Sequence, residues 1–188
     1  IIIVAGVSIA LIFVMTLVTG VSPQPSSKAA LKTIISILPK TLEGEEQSKI
    51  IELGSGWGGV AHALARYYPE KKVVGIEMSF LPWLFSNIRL FIQPQGNLHF
   101  YFGNFFKKDL SDSALILCYL LPDTMEKLKE KFHSELPKGS LIVSNTFALN
   151  DWEPMKVLKV DDIYKSPVYL YKMPQTDIRG NQLSNKKV

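Results

Sequence analysis

The chain has 188 residues, a net charge of +4 and 47% hydrophobic residues, which suits one domain with a single core. Its lysines form isolated pairs, such as Lys71 with Lys72 and Lys107 with Lys108, so a solvated surface is favoured over a nucleic-acid-binding patch. The single cysteine, Cys118, excludes an internal disulfide and a cysteine-rich metal site.

The first segment, residues 1–21, contains no charged, amide or proline residue. About 20 such residues cross a bilayer as a helix, so we predict a transmembrane anchor. A buried helix of a soluble domain and a cleaved signal peptide are the alternatives. Lys28, Lys32 and Lys40 follow, and the positive-inside rule then predicts a single-pass membrane protein whose catalytic domain lies on the cytoplasmic or matrix face.

Helical and strand patterns alternate after a turn-rich connection, SPQPSS, at residues 22–27. A first helix is predicted in SSKAALKTIISILP, with Ser26 or Ser27 as its cap and Pro39 as its end. Five apolar strands follow: KIIEL, KKVVGIE, NLHFYFG, SALILCYLL and GSLIVSNTFAL. The helices predicted between them are GGVAHALARYYP, SFLPWLFSNIRLFIQ and DTMEKLKEKFHSELP. PMKVLKV and SPVYLYKM are predicted to form a closing antiparallel pair.

Apolar strands that alternate with helices predict a parallel sheet covered on both faces. The expected fold class is therefore α/β: a doubly wound, seven-stranded Rossmann-like sheet with a C-terminal antiparallel strand pair, preceded by one transmembrane helix. The domain is assigned to residues 22–173. Residues 174–188 form a polar tail of the composition typical of disorder. In the last long helix, Asp123 is predicted as the cap, because Glu126 follows at capping-box spacing.

The first strand-to-helix turn, ELGSGWGG at residues 52–59, is rich in glycine. Gly54, Gly56 and Gly59 satisfy the G-x-G-x-x-G spacing that holds a dinucleotide pyrophosphate at a helix N-terminus. Glu52 favours a different ligand, because its carboxylate would repel a pyrophosphate and attract a cation. The amino group and sulfonium of S-adenosylmethionine are such cations. A structural hydrogen-bond network is the alternative role for Glu52.

Polar side chains also end the next two strands. Glu77 ends the second strand, where a carboxylate can accept both ribose hydroxyls of an adenosine. Asn104 is predicted to end the third strand and to bond an adenine edge through its amide. Because the carboxyl ends of parallel strands meet at one edge of a sheet, we expect Glu52, Glu77 and Asn104 to form one site. Trp57 is expected to pack against either the cofactor or the helix that follows the turn.

The segments ELGSGWGG, GIEMS and GNFF resemble the cofactor motifs of the class I S-adenosylmethionine-dependent methyltransferases. The resemblance covers roughly residues 26–173. It implies S-adenosylmethionine as the cofactor, with nine binding residues: Glu52, Gly54, Ser55, Gly56, Trp57, Glu77, Met78, Asn104 and Phe105.

Residues 117–154 are similar to the corresponding stretch of the ATP synthase c-subunit lysine methyltransferase family and its prokaryotic relatives. Members of that family also carry a membrane segment before a P-x-P turn and a helix, as residues 22–34 do here. Trp57 and Asn104 depart from the family, which usually has an acidic residue and an aspartate there. The resemblance implies N-methylation of a protein lysine, with a membrane-embedded partner as one option.

The segment CYLLPD, after the fourth strand, is predicted to receive the target amine. Methyl transfer depends on alignment, and a lysine must first lose a proton from a group whose ordinary pKa is about 10.4. We predict that Tyr119 positions the amine and that Asp123 is a second candidate, as proton acceptor. Core packing of Tyr119 and helix capping by Asp123 are the alternatives.

Other functions stay open at this point. GSGWGG and GIEMS also resemble lipid-modifying cyclopropane synthases, although the chain lacks their length and substrate-domain elements. A phospholipid or small-molecule N-methyltransferase and a non-catalytic, membrane-tethered cofactor-binding protein are two further hypotheses. No metal site is predicted, because His62, His99 and His133 share no ligand spacing. No nucleic-acid partner is expected.

Overall fold

The computed structural model describes residues 27–43 and 48–174. The predicted anchor at residues 1–21 and the tail from residue 175 lie outside the described residues. Among the helices of the described part, none combines the length and the hydropathy needed to span a bilayer.

Helices and strands alternate along the described residues. The α-helices there are α1 (Lys28–Ile37), α2 (Gly59–Tyr67), α3 (Phe80–Ile92) and α4 (Pro122–Glu135), with a 3-10 turn at Phe105–Lys107. The strands are β1 (Lys49–Leu53), β2 (Val73–Glu77), β3 (Leu98–Phe102), β4 (Ser113–Cys118), β5 (Leu141–Asn145), β6 (Lys156–Lys159) and β7 (Pro167–Lys172).

The strands form a seven-stranded sheet in the order β3-β2-β1-β4-β5-β7-β6. Strands β1 to β5 are parallel, whereas β7 runs antiparallel to both β5 and β6. The predicted parallel sheet with a closing antiparallel pair is confirmed. Because β1 lies between β2 and β4, the strand order reverses at the end of β1, where such sheets bind ligands.

Two apolar cores lie on opposite faces of the sheet. One contains buried side chains of α1 and α2, with Trp83 and Leu90 of α3 packed against it. The other contains Met125, Leu128 and Phe132 of α4. Helices therefore cover both faces, as predicted, and α1, α2 and α3 share one of them.

The helix starts follow from local chemistry, with one correction. Ser27 caps α1, because its Oγ accepts a hydrogen bond from the Ala30 amide at 3.1 Å. The prediction that Asp123 caps α4 is wrong, since the helix begins at Pro122 and its N-cap is Leu121. Proline suits the first helical position because it has no amide hydrogen to satisfy. Asp123 lies in the first turn, where a carboxylate interacts favourably with the helix dipole.

Candidate active site

The turn between β1 and α2 is built from glycines in left-handed conformations. Gly58 has φ 73°, and a Cβ placed there would lie 2.6 Å from Phe100 Cζ and 2.9 Å from Ser86 Cβ. Glycine is therefore required at position 58 by both conformation and packing. Gly56 has φ 51°, but a Cβ there would meet nothing within 4 Å among the described residues. The main chain at Gly56 is thus open to a ligand.

Glu77 holds this turn from the end of β2. Its Oε2 accepts a hydrogen bond from the Gly56 amide at 2.8 Å, and its Oε1 accepts one from the Ser79 amide at 2.7 Å. The side chain is buried, and each carboxylate oxygen keeps a second lone pair for a further donor. Glu77 can therefore order the turn and still accept a hydroxyl group.

Glu52 is buried beside the same turn. The Ala61 amide donates a hydrogen bond to its carboxyl group, while Oε2 has no hydrogen-bond partner among the described residues. Burial raises the pKa of Glu52 well above 4.5, and the nearby Glu77 carboxylate raises it further. Ser55 Oγ is also buried without a partner in that part of the chain. An unpaired buried carboxyl group costs free energy that a cationic ligand would recover.

Asn104 lies at the same edge of the sheet, but it does not end the third strand as predicted. Strand β3 ends at Phe102, and Asn104 instead caps the 3-10 turn, with its Oδ1 accepting from the Phe106 amide at 2.9 Å. The Gly103 amide donates to the Glu77 carbonyl oxygen at 2.8 Å, which keeps this segment beside the end of β2. Asn104 is exposed, so its NH2 group is available to a ligand.

The remaining predicted cofactor residues differ in their surroundings. Met78 follows Glu77 and is 46% exposed, whereas Phe105 is buried in the second core. Trp57 was expected to pack on α2 or on the cofactor. The structure adds a contact with α3, where the Trp57 ring packs edge-on against the Phe85 ring with their centroids 5.1 Å apart. The helix after β2 contributes this contact because it lies on the same face of the sheet as α2.

The segment after β4 lies over the glycine turn. Leu120 Cδ2 is 2.9 Å from the position that a Cβ would take on Gly54, so the two segments are in close contact. Tyr119 is 42% exposed, and the alternative that it packs in the core is wrong. Its ring stacks on Phe147 at 6.3 Å with an interplanar angle of 16°. Asp123 is exposed on the first turn of α4.

Sequence reasoning missed a group of residues at the end of β5. Asn145 is buried, and its Oδ1 has no partner among the described residues. Thr146 has φ 73°, which is rare for a β-branched residue, and it turns the chain so that Phe147 reaches Tyr119. The rule that polar residues at strand ends mark the site would have included Asn145, had it been applied to the fifth strand.

Two cavities lie elsewhere, with volumes of about 340 Å³ and 560 Å³. Both are bordered by Glu43, Ala114 and Gly139, near the amino ends of β4 and β5. Residues 27–43 and 48–174 hold no group of three acidic, histidine or cysteine side chains that could bind a metal.

Comparison with known proteins identifies the family. The ANTKMT methyltransferase domain matches residues 52–156, which is more than half of the chain. The chain belongs to this family. It is a methyltransferase, and its cofactor is S-adenosylmethionine. The predicted recognition and enzyme class are therefore confirmed.

Three relatives share sequence with this methyltransferase. It is 33% identical over 125 residues to a protein-lysine N-methyltransferase of Saccharolobus islandicus, covering 65% of this chain and 77% of that protein. It is 30% identical over 113 residues to the mouse adenine nucleotide translocase lysine N-methyltransferase, covering 58% and 48%. A rat ATP synthase c-subunit lysine N-methyltransferase matches at 23% identity, covering 69% and 57%. The chain thus spans about half the length of the two mammalian relatives.

The fold matches that of solved methyltransferases. An RNA methyltransferase from Salinibacter ruber, in complex with S-adenosyl-L-homocysteine, superposes with a TM-score of 0.70. The match covers 83% of this chain and 97% of that one, at 23% sequence identity. At this identity the comparison shows a shared fold, and it assigns no substrate.

The residues at the strand ends fit S-adenosylmethionine. Glu52 Oε2 and Ser55 Oγ are buried polar atoms without partners in the described segments, beside an open main chain at Gly56. A carboxylate is the complement of an amino group or a sulfonium, and Glu77 retains acceptor capacity for hydroxyl groups. Acidic groups at this turn do not suit a pyrophosphate, so the dinucleotide alternative is not favoured.

Proposed function

We propose that this protein transfers a methyl group from S-adenosylmethionine to the side-chain amine of a lysine in a protein substrate. Membership of the family supports methyl transfer, and all three relatives above carry names that specify lysine. One geometric observation supports the position of the target: the exposed Tyr119 ring stacks on Phe147 beside the segment that covers Gly54.

Cofactor binding and positioning of the target amine are assigned to different residues at the carboxyl edge of the sheet. Glu52 and Glu77 would hold the amino and ribose groups of the cofactor, with Asn104 and Met78 at the adenine. When bound, the cofactor supplies a methyl group that is activated by a sulfonium charge. The protein must then align a neutral amine with that methyl group, because alignment supplies much of the acceleration.

Tyr119 is proposed as the residue that positions the amine. Its hydroxyl can accept a hydrogen bond from the amine, and its ring, stacked on Phe147, limits the approach to one side. The exposed carboxylate of Asp123, four residues further on, is the candidate acceptor for the proton that the ammonium group loses.

Two measurements test the cofactor and target assignments separately. Calorimetry should show that Glu77→Ala weakens S-adenosylmethionine binding severely, whereas Glu130→Ala, on the exposed face of α4, should leave it unchanged. Tyr119→Phe should lower the rate of methyl transfer by about 10-fold or more, while the cofactor affinity stays within about twofold. Equal affinity in Glu77→Ala and the parent protein would remove the cofactor-site assignment.

The substrate class is tested with labelled cofactor. The protein is incubated with methyl-labelled S-adenosylmethionine and a membrane extract, with Glu77→Ala as the inactive control. Label in protein that yields methylated lysine on hydrolysis supports the proposal. Label found only in lipid would replace it with the lipid-methylating alternative.

We also propose that residues 1–21 anchor the protein as a single transmembrane helix, with the catalytic domain on the cytoplasmic or matrix face. The support is the uncharged sequence of this segment and the lysines that follow it. A membrane-embedded protein substrate is the corresponding proposal for the partner. Alkaline extraction of membranes tests the anchor: release of the protein into the supernatant would contradict it.

A further inference from the structure

Asn145, the last residue of β5, carries a polar side chain that is buried at the carboxyl edge of the sheet. The residue is 5% exposed, and its Oδ1 has no hydrogen-bond partner among the described residues. Buried polar atoms are nearly always paired, because an unpaired one has lost its hydrogen bonds to water and gained nothing in return. The unpaired oxygen therefore requires an explanation, and a ligand that donates a hydrogen bond would provide one.

The turn that follows β5 does not use the Asn145 side chain. Asparagine often stabilises a turn by accepting, through its side chain, from the amide two residues further on. Here the Phe147 amide donates instead to the backbone carbonyl oxygen of Asn145, at 3.0 Å. The Thr146 amide donates to the Pro167 carbonyl oxygen at 2.7 Å. The Ser144 hydroxyl donates to the Phe147 carbonyl oxygen. The turn is thus held by other groups, and Oδ1 stays free for a further donor.

Asn145 lies on the same face of the sheet as Glu52 of the cofactor site. Side chains two residues apart on a strand point to one face. Ile50 and Val143, which lie two residues before Glu52 and Asn145, both belong to the core that contains α1 and α2. Val168, the partner of Asn145 on β7, belongs to that core too. Because β4 separates β1 from β5, Glu52 and Asn145 border the same part of the carboxyl edge, about 10 Å apart across the sheet.

Tyr119, which is proposed to position the target amine, extends from the neighbouring strand end. Cys118 of β4 pairs with Ser144 of β5, so Tyr119 and Asn145 each follow directly after a paired residue. Their main chains are therefore about 5 Å apart. The Tyr119 ring also stacks on Phe147, two residues after Asn145. An amine beside the Tyr119 hydroxyl would thus lie close to the Asn145 side chain.

We propose that Asn145 Oδ1 accepts a hydrogen bond from the target lysine amine, as a second acceptor beside the Tyr119 hydroxyl. A neutral amine has two N–H groups and one lone pair. Two acceptors would hold both N–H groups and leave the lone pair to point at the methyl carbon, and alignment of this kind supplies much of the acceleration. The inference rests on the proposed transfer to lysine, and it adds a substrate-binding residue to that site.

A neutral amide suits this role better than a carboxylate would. A carboxylate within about 4–6 Å favours the charged form of an amine, and the nitrogen of an ammonium group has no lone pair with which to react. An amide oxygen accepts the same N–H group without a negative charge, so it favours the ammonium form less. Asp123, the proposed proton acceptor, is placed differently, because it is exposed on the first turn of α4.

Variants of the full 188-residue chain test the role of Asn145. Asn145→Leu removes the acceptor at nearly constant size, whereas Asn145→Asp keeps an acceptor and adds a charge. Asn150→Leu, at an exposed position further along the same loop, is the matched control. The thermal unfolding transition of each variant checks that it is folded, and calorimetry gives its affinity for S-adenosylmethionine.

The rate of transfer is measured with saturating methyl-labelled S-adenosylmethionine and the membrane extract, as methylated lysine released on hydrolysis. We expect Asn145→Leu to lower the initial rate at least about fivefold, while its cofactor affinity stays within about threefold of the parent's. Asn150→Leu should match the parent protein in both assays. A smaller decrease in rate would overturn the proposal. A larger loss of affinity would also overturn it, because Asn145 would then belong to the cofactor site.

The same experiment distinguishes failure of this inference from failure of the proposed function. Methylated lysine formed equally fast by the parent protein and by Asn145→Leu would reject the role of Asn145 alone. Label that the parent protein transfers only to lipid would reject the lysine target, and the role of Asn145 with it.

The pH dependence of Asn145→Asp separates contact with the amine from a structural role. A carboxylate at position 145 would stabilise the ammonium form, so the rise in rate between pH 7 and 10 should move to higher pH by about one unit or more. An unchanged profile would show that position 145 does not contact the amine. The titratable groups near it on the neighbouring strands and on α4 are the same in both proteins: Glu52, Glu77, Cys118, Tyr119, Tyr169 and Asp123.

Discussion

Replacement of Glu52 by glutamine separates a ligand-binding role from a structural role for this residue. Glutamine keeps the size of the side chain and the acceptor for the Ala61 amide, but it removes the ionisable group. If Glu52 binds a cationic group of the cofactor, the variant loses a charge-assisted hydrogen bond of about 1.5–3 kcal/mol. The expected loss of S-adenosylmethionine affinity is therefore about 10- to 150-fold.

The buried carboxyl group of Glu52 should also make the stability of the parent protein depend on pH. In the folded protein, burial raises the pKa of Glu52 well above 4.5. Above pH 4.5 the unfolded chain releases this proton while the folded chain retains it, so the parent protein loses stability as the pH rises. A full proton difference costs about 1.4 kcal/mol per pH unit within that window, and the variant should not show this loss.

Chemical denaturation between pH 4.5 and 8, together with calorimetry of cofactor binding, measures both effects. Glu130→Gln, at an exposed position of α4, is the control and should match the parent protein in both assays. The reasoning would be refuted if the stability of Glu52→Gln followed the same pH dependence as the parent. An affinity within threefold of the parent would equally remove Glu52 from the cofactor site.

Two further predictions concern the packing around the turn. His62 is fully buried. Burial, together with the charges of Arg89 and Arg66, lowers its pKa from 6.5 to about 4. The free energy of unfolding should therefore decrease by about 3 kcal/mol as the pH falls from 6.5 to about 4. His62→Leu should abolish this loss in denaturation experiments. If the variant lost as much stability at acidic pH as the parent protein, His62 would not be its cause. Gly58→Ala should lower the free energy of unfolding by about 3 kcal/mol, because its Cβ would overlap Phe100, whereas Gly56→Ala should cost only about 1–2 kcal/mol. Similar losses in the two glycine variants would show that conformation alone, and not packing, requires Gly58.

The order and type of the elements could be predicted because they depend on local patterns. Continuous apolar strands alternating with helices predicted the parallel sheet, and its antiparallel end, which the structure confirms. Glu52 and Glu77 were found because the carboxyl ends of parallel strands meet at one edge. The start of α4 was predicted two residues late, at Thr124 and not at Pro122, because Pro122 and Asp123 both favour a helix start and the sequence does not rank them.

The sequence alone therefore determined the family resemblance, the strand ends that carry polar groups and the succession of helices and strands. Only the tertiary structure showed that Tyr119 stacks on Phe147, because those residues are brought together by the pairing of β4 with β5. It also decided which side of α3 is exposed. That helix carries apolar residues on nearly every side, so its periodicity does not select a buried face, and the position of the sheet makes that choice.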